Sequence, residues 1–216
     1  KSKYDQFGHS AFDGAGGSVL QGIGASTAKG AVAYKSPSFD IAGISASFGV
    51  DYDPAAGADG NDHDAIATKS STQGSGNGFV VKLSHDSGLT VGAGMGEDNG
   101  EGSAASIDVT VLNATYAMDA FTIGWSSSEE DSNAANSDVT LVALGASYAV
   151  NDDVSVSINT ATHEIEGSAD QDSFGISASM VMGSMTLSAN HNSVENVGGT
   201  AGKDRSGYAL GLSFAF

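Results

Sequence analysis

Large apolar residues recur at every second position over long stretches of this chain. Near the C-terminus Tyr208, Leu210, Leu212, Phe214 and Phe216 alternate with Gly207, Ala209, Gly211, Ser213 and Ala215. Val154, Val156 and Ile158 alternate with Ser155, Ser157 and Asn159, and Phe121, Ile123 and Trp125 with Thr122, Gly124 and Ser126. Phe174, Ile176, Ala178, Met180 and Met182 stand against Gly175, Ser177 and Ser179. Successive side chains of a strand point to opposite faces, so a period of two marks strands with one apolar face. The pattern predicts eleven strands, at 29–36, 40–52, 77–86, 89–96, 106–118, 120–129, 138–150, 153–163, 172–182, 184–193 and 206–216. Residues 1–28 are rich in Gly and Ser and lack the alternation, and no helical period of comparable length competes.

The connections alternate in length. Ser36-Pro37-Ser38, Asp86-Ser87-Gly88, Asp119, Asn151-Asp152 and Gly183-Ser184 carry the residues of tight hairpin turns. The others, at 53–76, 97–105, 130–137, 164–171 and 194–205, are long. The segments before the later tight turns also resemble one another: Leu112-Asn-Ala-Thr-Tyr116, Leu144-Gly-Ala-Ser-Tyr148 and Ile176-Ser-Ala-Ser-Met180. A repeated hairpin of this kind is an up-and-down meander.

Composition narrows what such a sheet is for. The 216 residues hold 26 Asp and Glu against 8 Lys and Arg, a formal charge of -18 at pH 7. Phosphate contacts need Lys and Arg, so no nucleic-acid partner is expected. With no Cys, neither a disulfide scaffold nor a cysteine-based zinc site is available. No run of about 20 apolar residues exists, which excludes a helical membrane span. The chain opens Lys1-Ser2-Lys3-Tyr4 and is read as a processed mature chain or a fragment.

Charge placement decides between water and lipid. Most acids lie in or beside the long connections, and most of the rest at tight turns; Asp5 and Asp13 sit in the leading segment, and Asp108 lies near a strand start on what reads as its polar face. A water-soluble sheet carries Lys, Glu and Thr on its outer face. Here one face is oily without interruption and the other is Gly, Ser, Ala, Thr and Asn. A bilayer explains the first, because Lys or Arg at mid-depth on the lipid side costs about 2–4 kcal/mol. Closure into a barrel follows, since no backbone group can stay unpaired in lipid. Strands of about ten residues suit a tilted crossing. Tyr34, Phe39, Tyr116, Phe121, Tyr148 and Phe216 fall toward the tight-turn end, and Tyr52, Phe79, Phe174 and Tyr208 toward the other. Two aromatic rings suit the two membrane interfaces. The plainer alternative, aromatics filling a β-sandwich core, does not account for their place at strand ends. The expected fold is all-β, a transmembrane antiparallel up-and-down β-barrel.

The final strand, Tyr208-Ala-Leu-Gly-Leu-Ser-Phe214-Ala-Phe216, resembles the terminal signal of Gram-negative outer-membrane proteins. Gly30-Ala-Val-Ala-Tyr34-Lys-Ser-Pro37, followed by Phe39-Asp-Ile-Ala-Gly-Ile-Ser-Ala-Ser-Phe48, is similar to the hairpin after the constriction loop of general-diffusion porins. The resemblance implies an integral outer-membrane protein surrounded by lipid and lipopolysaccharide, assembled as a homotrimer. Tyr208, Leu210, Leu212, Phe214 and Phe216 would be read by the assembly machinery. Residues 1–28 would be a pore-lining constriction-loop segment, and 29–216 barrel strands with short periplasmic turns and longer acidic extracellular loops. Such porins usually have sixteen strands, so the eleven here would be the last of them and the chain a fragment. The competing account is a complete barrel of twelve, with a strand hidden in 11–28 at Ser18-Val-Leu-Gln-Gly-Ile. Alone, eleven strands leave two open edges in lipid.

Candidate chemistry is sparse. His9, His63, His85, His163 and His191 share no triad-like spacing with Ser or Asp, so no enzyme is expected. Asp59, Asp62 and Asp64 could offer oxygens to Ca²⁺, but they lack the spacing and closing Glu of a calcium loop. A solvated acidic loop that holds cations loosely is the better reading, and no cofactor is expected. By parity Lys35, Lys82, Asp108, Asn159 and Asn190 face the lumen, while Lys1, Lys3, Asp5 and Asp13 would line its narrowest point. A negative mouth enriches cations. The expected function is therefore a water-filled, cation-preferring channel for small hydrophilic solutes. Two alternatives remain: a non-conducting structural or adhesive barrel whose acidic loops bind ions or partners, and a secreted, water-soluble β-sandwich or β-helix.

Overall fold

The computed structural model describes residues 32–53, 73–100, 106–135 and 137–215. The expectations for Lys1, Lys3, Asp5, Asp13 and the rest of 1–28 fall outside them, as do those for Asp59, Asp62, Asp64 and Phe216. The described residues form one antiparallel sheet of β1 (Val32–Lys35), β2 (Phe39–Ile41), β3 (Ile44–Asp53), β4 (Gln73–His85), β5 (Leu89–Gly100), β6 (Ile107–Met118), β7 (Phe121–Ser132), β8 (Val139–Ala149), β9 (Val154–Ile165), β10 (Gln171–Met182), β11 (Met185–Val194) and β12 (Arg205–Phe214). From β3 onward each strand pairs with its sequence neighbours. β1 and β2 share the other edge of β3, and β12 is the far edge; no ladder joins these edges among the described residues. Apart from a 3-10 turn at Val197–Gly199, the described structure is strands, turns and loops.

The first hairpin differs from expectation. Residues 40–52 are not one strand, and residues 36–38 are not its turn. The chain reverses at Ala42 and Gly43, whose φ values of 51° and 82° are left-handed. β1 and β2 are two pieces of one strand, broken by a bulge. Lys35 faces Gly49 and Phe39 faces Ala46, so the upstream side carries one extra residue. Ser36 repairs the ladder there: its N–H donates to the Phe48 carbonyl at 2.8 Å, and its Oγ accepts the Phe48 N–H at 2.9 Å. The extra residue reverses the parity of the strand. Tyr34 before the bulge and Phe39 and Ile41 after it therefore share one face. Moving the turn also moves Tyr34 away from the tight-turn end. It lies opposite Val50, with its ring centroid 5.9 Å from that of Phe48.

The other tight turns fall where the sequence places them. Gly88, Asp119 and Gly183 have φ values of 89°, 48° and 63°. At the β8–β9 turn the Asn151 Oδ1 accepts the N–H groups of Asp153 and Val154, each at 2.9 Å. Such a side-chain turn fixes the reversal without glycine. At the opposite end the strands run further than predicted. β5 runs on through Glu97, and β7 through Glu130 and Asp131. Ladder pairing continues after the apolar stretch has ended.

The two faces are inverted relative to a soluble sheet. Ile158, Ile176 and Leu144 are 47%, 49% and 48% exposed, whereas Ser126 and Ser128 on the other face are 2% and 1% exposed. Small side chains are covered this fully when a sheet curls around them. Register places Ile158 beside Ala146 and Ile176, and Ser157 beside Ser147 and Ser177, so each face runs continuously across neighbouring strands.

Candidate functional site: the small polar face

The inner face is built from alternate residues of each strand, and glycine shapes it. Its longer side chains lie down along the wall, over neighbouring glycines. The Asp51 Oδ1 sits 2.6 Å from where a Cβ on Gly78 would be, and the Asn113 Oδ1 2.8 Å from that of Gly92. The Ser188 Oγ is 2.6 Å from the corresponding point at Gly211. Each pair is directly opposed in register. Serine pairs also satisfy one another across strands, Ser155 with Ser179 at 2.8 Å and Ser157 with Ser177 at 2.6 Å. The result is a flat, largely uncharged surface, tied across strands in places by serine pairs.

Four of the predicted lining residues lie on this face. Lys35 is opposite Gly49 and Lys82 opposite Ser47 and Gly92, and both lysines are exposed. Asn159 is opposite Gly145 and Gly175, and Asn190 opposite Ser177 and Ala209. Asp108 does not join them. It alternates with Leu112 and Tyr116 and pairs with Glu97 and Asp131, so it belongs to the outer face, at the long-loop end. There the outer surface is acidic and lies beyond the apolar stretch. Parity misleads at this strand because Ile107, Val109 and Val111 are apolar yet face inward.

Several inner residues were missed. Asn192 follows Asn190 in the same parity and was readable on that ground. Gln171 lies one residue outside the predicted strand, so alternation could not reach it. His163, which no triad-like spacing marks, also faces inward, opposite Gln171 and Leu141. His191 lies on the outer face within β11, its ring centroid 4.4 Å from that of Tyr208. Among the described residues, no group of three or more His, Cys, Asp or Glu is placed to hold a metal ion.

The C-terminal strand keeps its expected alternation. Tyr208 and Leu210 are 85% and 77% exposed, on the face shared by Leu212 and Phe214. A sheet that presents its bulky apolar side outward and folds its small polar side inward suits a wall between hydrocarbon and water. A family model described as Gram-negative porin matches residues 2–167. The chain belongs to the Gram-negative porin family. As a porin it is an integral outer-membrane β-barrel protein, and the described sheet is part of such a barrel. Solved structures carry the same fold. The loop L8 deletion mutant of OmpT, an outer membrane protein of Vibrio cholerae, is similar at TM-score 0.55 and 13% identity, over 85% of this chain and 62% of that one. The trimer form of OmpT gives 0.53 and 13%, over 85% and 64%. The porin chain thus spans less than two thirds of the length of these structures. The KdgM porin matches at TM-score 0.42 and 11% identity, over 86% of this chain and 99% of its own. No curated relative matches the porin chain.

Proposed function

We propose that this porin forms a water-filled channel through which small hydrophilic solutes and ions diffuse passively. The observation that carries the reading is the inversion of the faces: exposed Leu144, Ile158 and Ile176 outside, and small, covered polar residues such as Ser126, Ser128 and Asn159 inside. A wall of small, mostly uncharged side chains offers passing solutes little to bind. Passage then depends on bore and wall charge rather than on chemistry, and the protein acts without catalysis. The acidic long-loop end, with Glu97, Asp108, Glu129, Asp131 and Glu164, favours cations at the mouth. Lys35 and Lys82, lower on the wall, work against that preference.

The assembly is read as a homotrimer, a form represented among the similar structures. Its surroundings are lipid and lipopolysaccharide, and the β12 alternation with Phe216 is the feature the assembly machinery would read. The test is reconstitution of the full chain in planar bilayers. Stepwise conductance with a reversal potential favouring potassium over chloride supports the reading. A chloride preference overturns the selectivity. Insertion without conductance makes the protein a structural barrel instead.

A further inference from the structure

We propose that Gln171 is a positioning residue that ties the 195–204 loop back against the lumen wall and so keeps the channel mouth clear. This deepens the channel reading and rests on it. The loop joins β11 to β12, yet its tip lies on β10. Gln171 stands at the top of β10 on the inner face, 2% exposed, and its Oε1 accepts the Gly198 N–H at 2.7 Å. The neighbouring Gly199 carbonyl accepts the Ala169 N–H at 3.1 Å. A Cβ on Gly199 would come within 2.7 Å of the Ser168 Cβ, so the tip is pressed onto the 166–170 connection.

Asn196 organises the rest of the loop from a left-handed conformation, φ 52° and ψ 47°. Its Nδ2 donates to the Asp170 carbonyl at 2.9 Å, and its Oδ1 accepts the Gly202 N–H at 2.8 Å. Its own N–H donates to the Asp204 Oδ1 at 3.0 Å. Gly198, Gly199 and Gly202 have φ values of 66°, 70° and 74°, a region glycine enters without steric cost. The loop is thus shaped to lie sideways along the wall, and Gln171 is the buried side chain of the wall that holds its tip. Freed there, it would hinge at the ends of β11 and β12 and swing into the mouth.

Only the oxygen of Gln171 is used. Its Nε2 makes no hydrogen bond among the described residues. Gln171→Glu keeps an acceptor for Gly198, whereas Gln171→Leu keeps the bulk and loses the acceptor. In planar bilayers the full-conductance level of the native and Leu proteins should be the same. The Leu variant should add brief closures and several-fold more open-channel noise, and the Glu variant should add none, whatever its carboxylate does to the level. Trypsin reads the tie separately, because Lys203 and Arg205 lie at the end of the loop. In the detergent-folded chain, cutting there should be several-fold faster in the Leu variant and unchanged in the Glu variant. If the native protein conducts nothing but this tryptic pattern holds, the tie-back stands and the channel reading falls. Native-like cutting and noise in the Leu variant overturn the tie-back, and so does a Glu variant as loose as Leu. Should the Leu variant not fold, Asn196→Ala, which removes two side-chain bonds of the same loop, must loosen it equally; native-like cutting there also overturns the proposal.

Discussion

Asn159 and Asn192, on strands either side of β10, lean over the same glycine. Their Oδ1 atoms lie 2.8 and 2.7 Å from the point a Cβ on Gly175 would occupy. Both are register partners of Gly175, so the missing side chain is what lets the two carboxamides lie flat. Gly175→Ala forces at least one amide upright. Both displaced groups are the ends of side chains that can turn aside, so the expected cost is small, about 1 kcal/mol, the low end of the range for overpacking. Gly207→Ala is the control, because nothing lies within 4 Å of its Cβ position. Chemical unfolding of both variants checks this; equal midpoints would show that the flat wall has slack to spare.

Ser36 bridges the bulge with both its N–H and its hydroxyl, and it is 7% exposed. Ser36→Ala leaves the Phe48 N–H without its acceptor. A buried donor orphaned in this way costs about 1–3 kcal/mol. Urea titration should show the loss, and Ser36→Thr, which keeps the hydroxyl, should recover most of it.

Legibility of the chain follows from how local each signal is. Alternation is local, so the strands, their apolar face and the later tight turns could be read residue by residue. The bulge could not. Pro37 between two serines has the chemistry of a turn, while Ala42 and Gly43 interrupt the alternation by only two residues. Only pairing with β3 shows which of the two reverses the chain. Asp108 fails for a related reason. Along β6 both faces carry apolar residues, Val109 and Val111 inward and Leu112 and Tyr116 outward, so parity had no fixed reference. The 195–204 loop was beyond reach because its partners, Gln171 and Asp170, belong to a different hairpin.

The two exposed lysines on the inner face give a charge test. Replacing Lys35 and Lys82 together by Gln removes the cations that oppose the acidic mouth. Reversal potentials should shift further toward potassium at 0.1 M salt and much less at 1 M, where the screening length falls from about 10 Å to about 3 Å. An unchanged potential at low salt would place these lysines away from the ion path.

Face assignment has its own test. Ile158→Arg puts a cation on the outer belt, at an expected cost of about 2–4 kcal/mol if the site lies near the bilayer midplane. Asn190→Lys adds a cation to the opposite face of the adjoining hairpin and should fold with near-native stability. Folding yield into lipid vesicles separates them. In a water-soluble sheet the order would reverse, because an exposed isoleucine loses nothing by becoming arginine.

Trp125 is the single tryptophan, 40% exposed on the outer face beside Leu144 and Ala114. That makes its fluorescence a direct reporter of what the outer face touches. In vesicles containing brominated phospholipid the emission should be strongly quenched, while iodide added to the water should leave it nearly unchanged. Quenching by iodide and none by bromine would put the apolar face in water, and the account of an inverted sheet between lipid and lumen would be wrong.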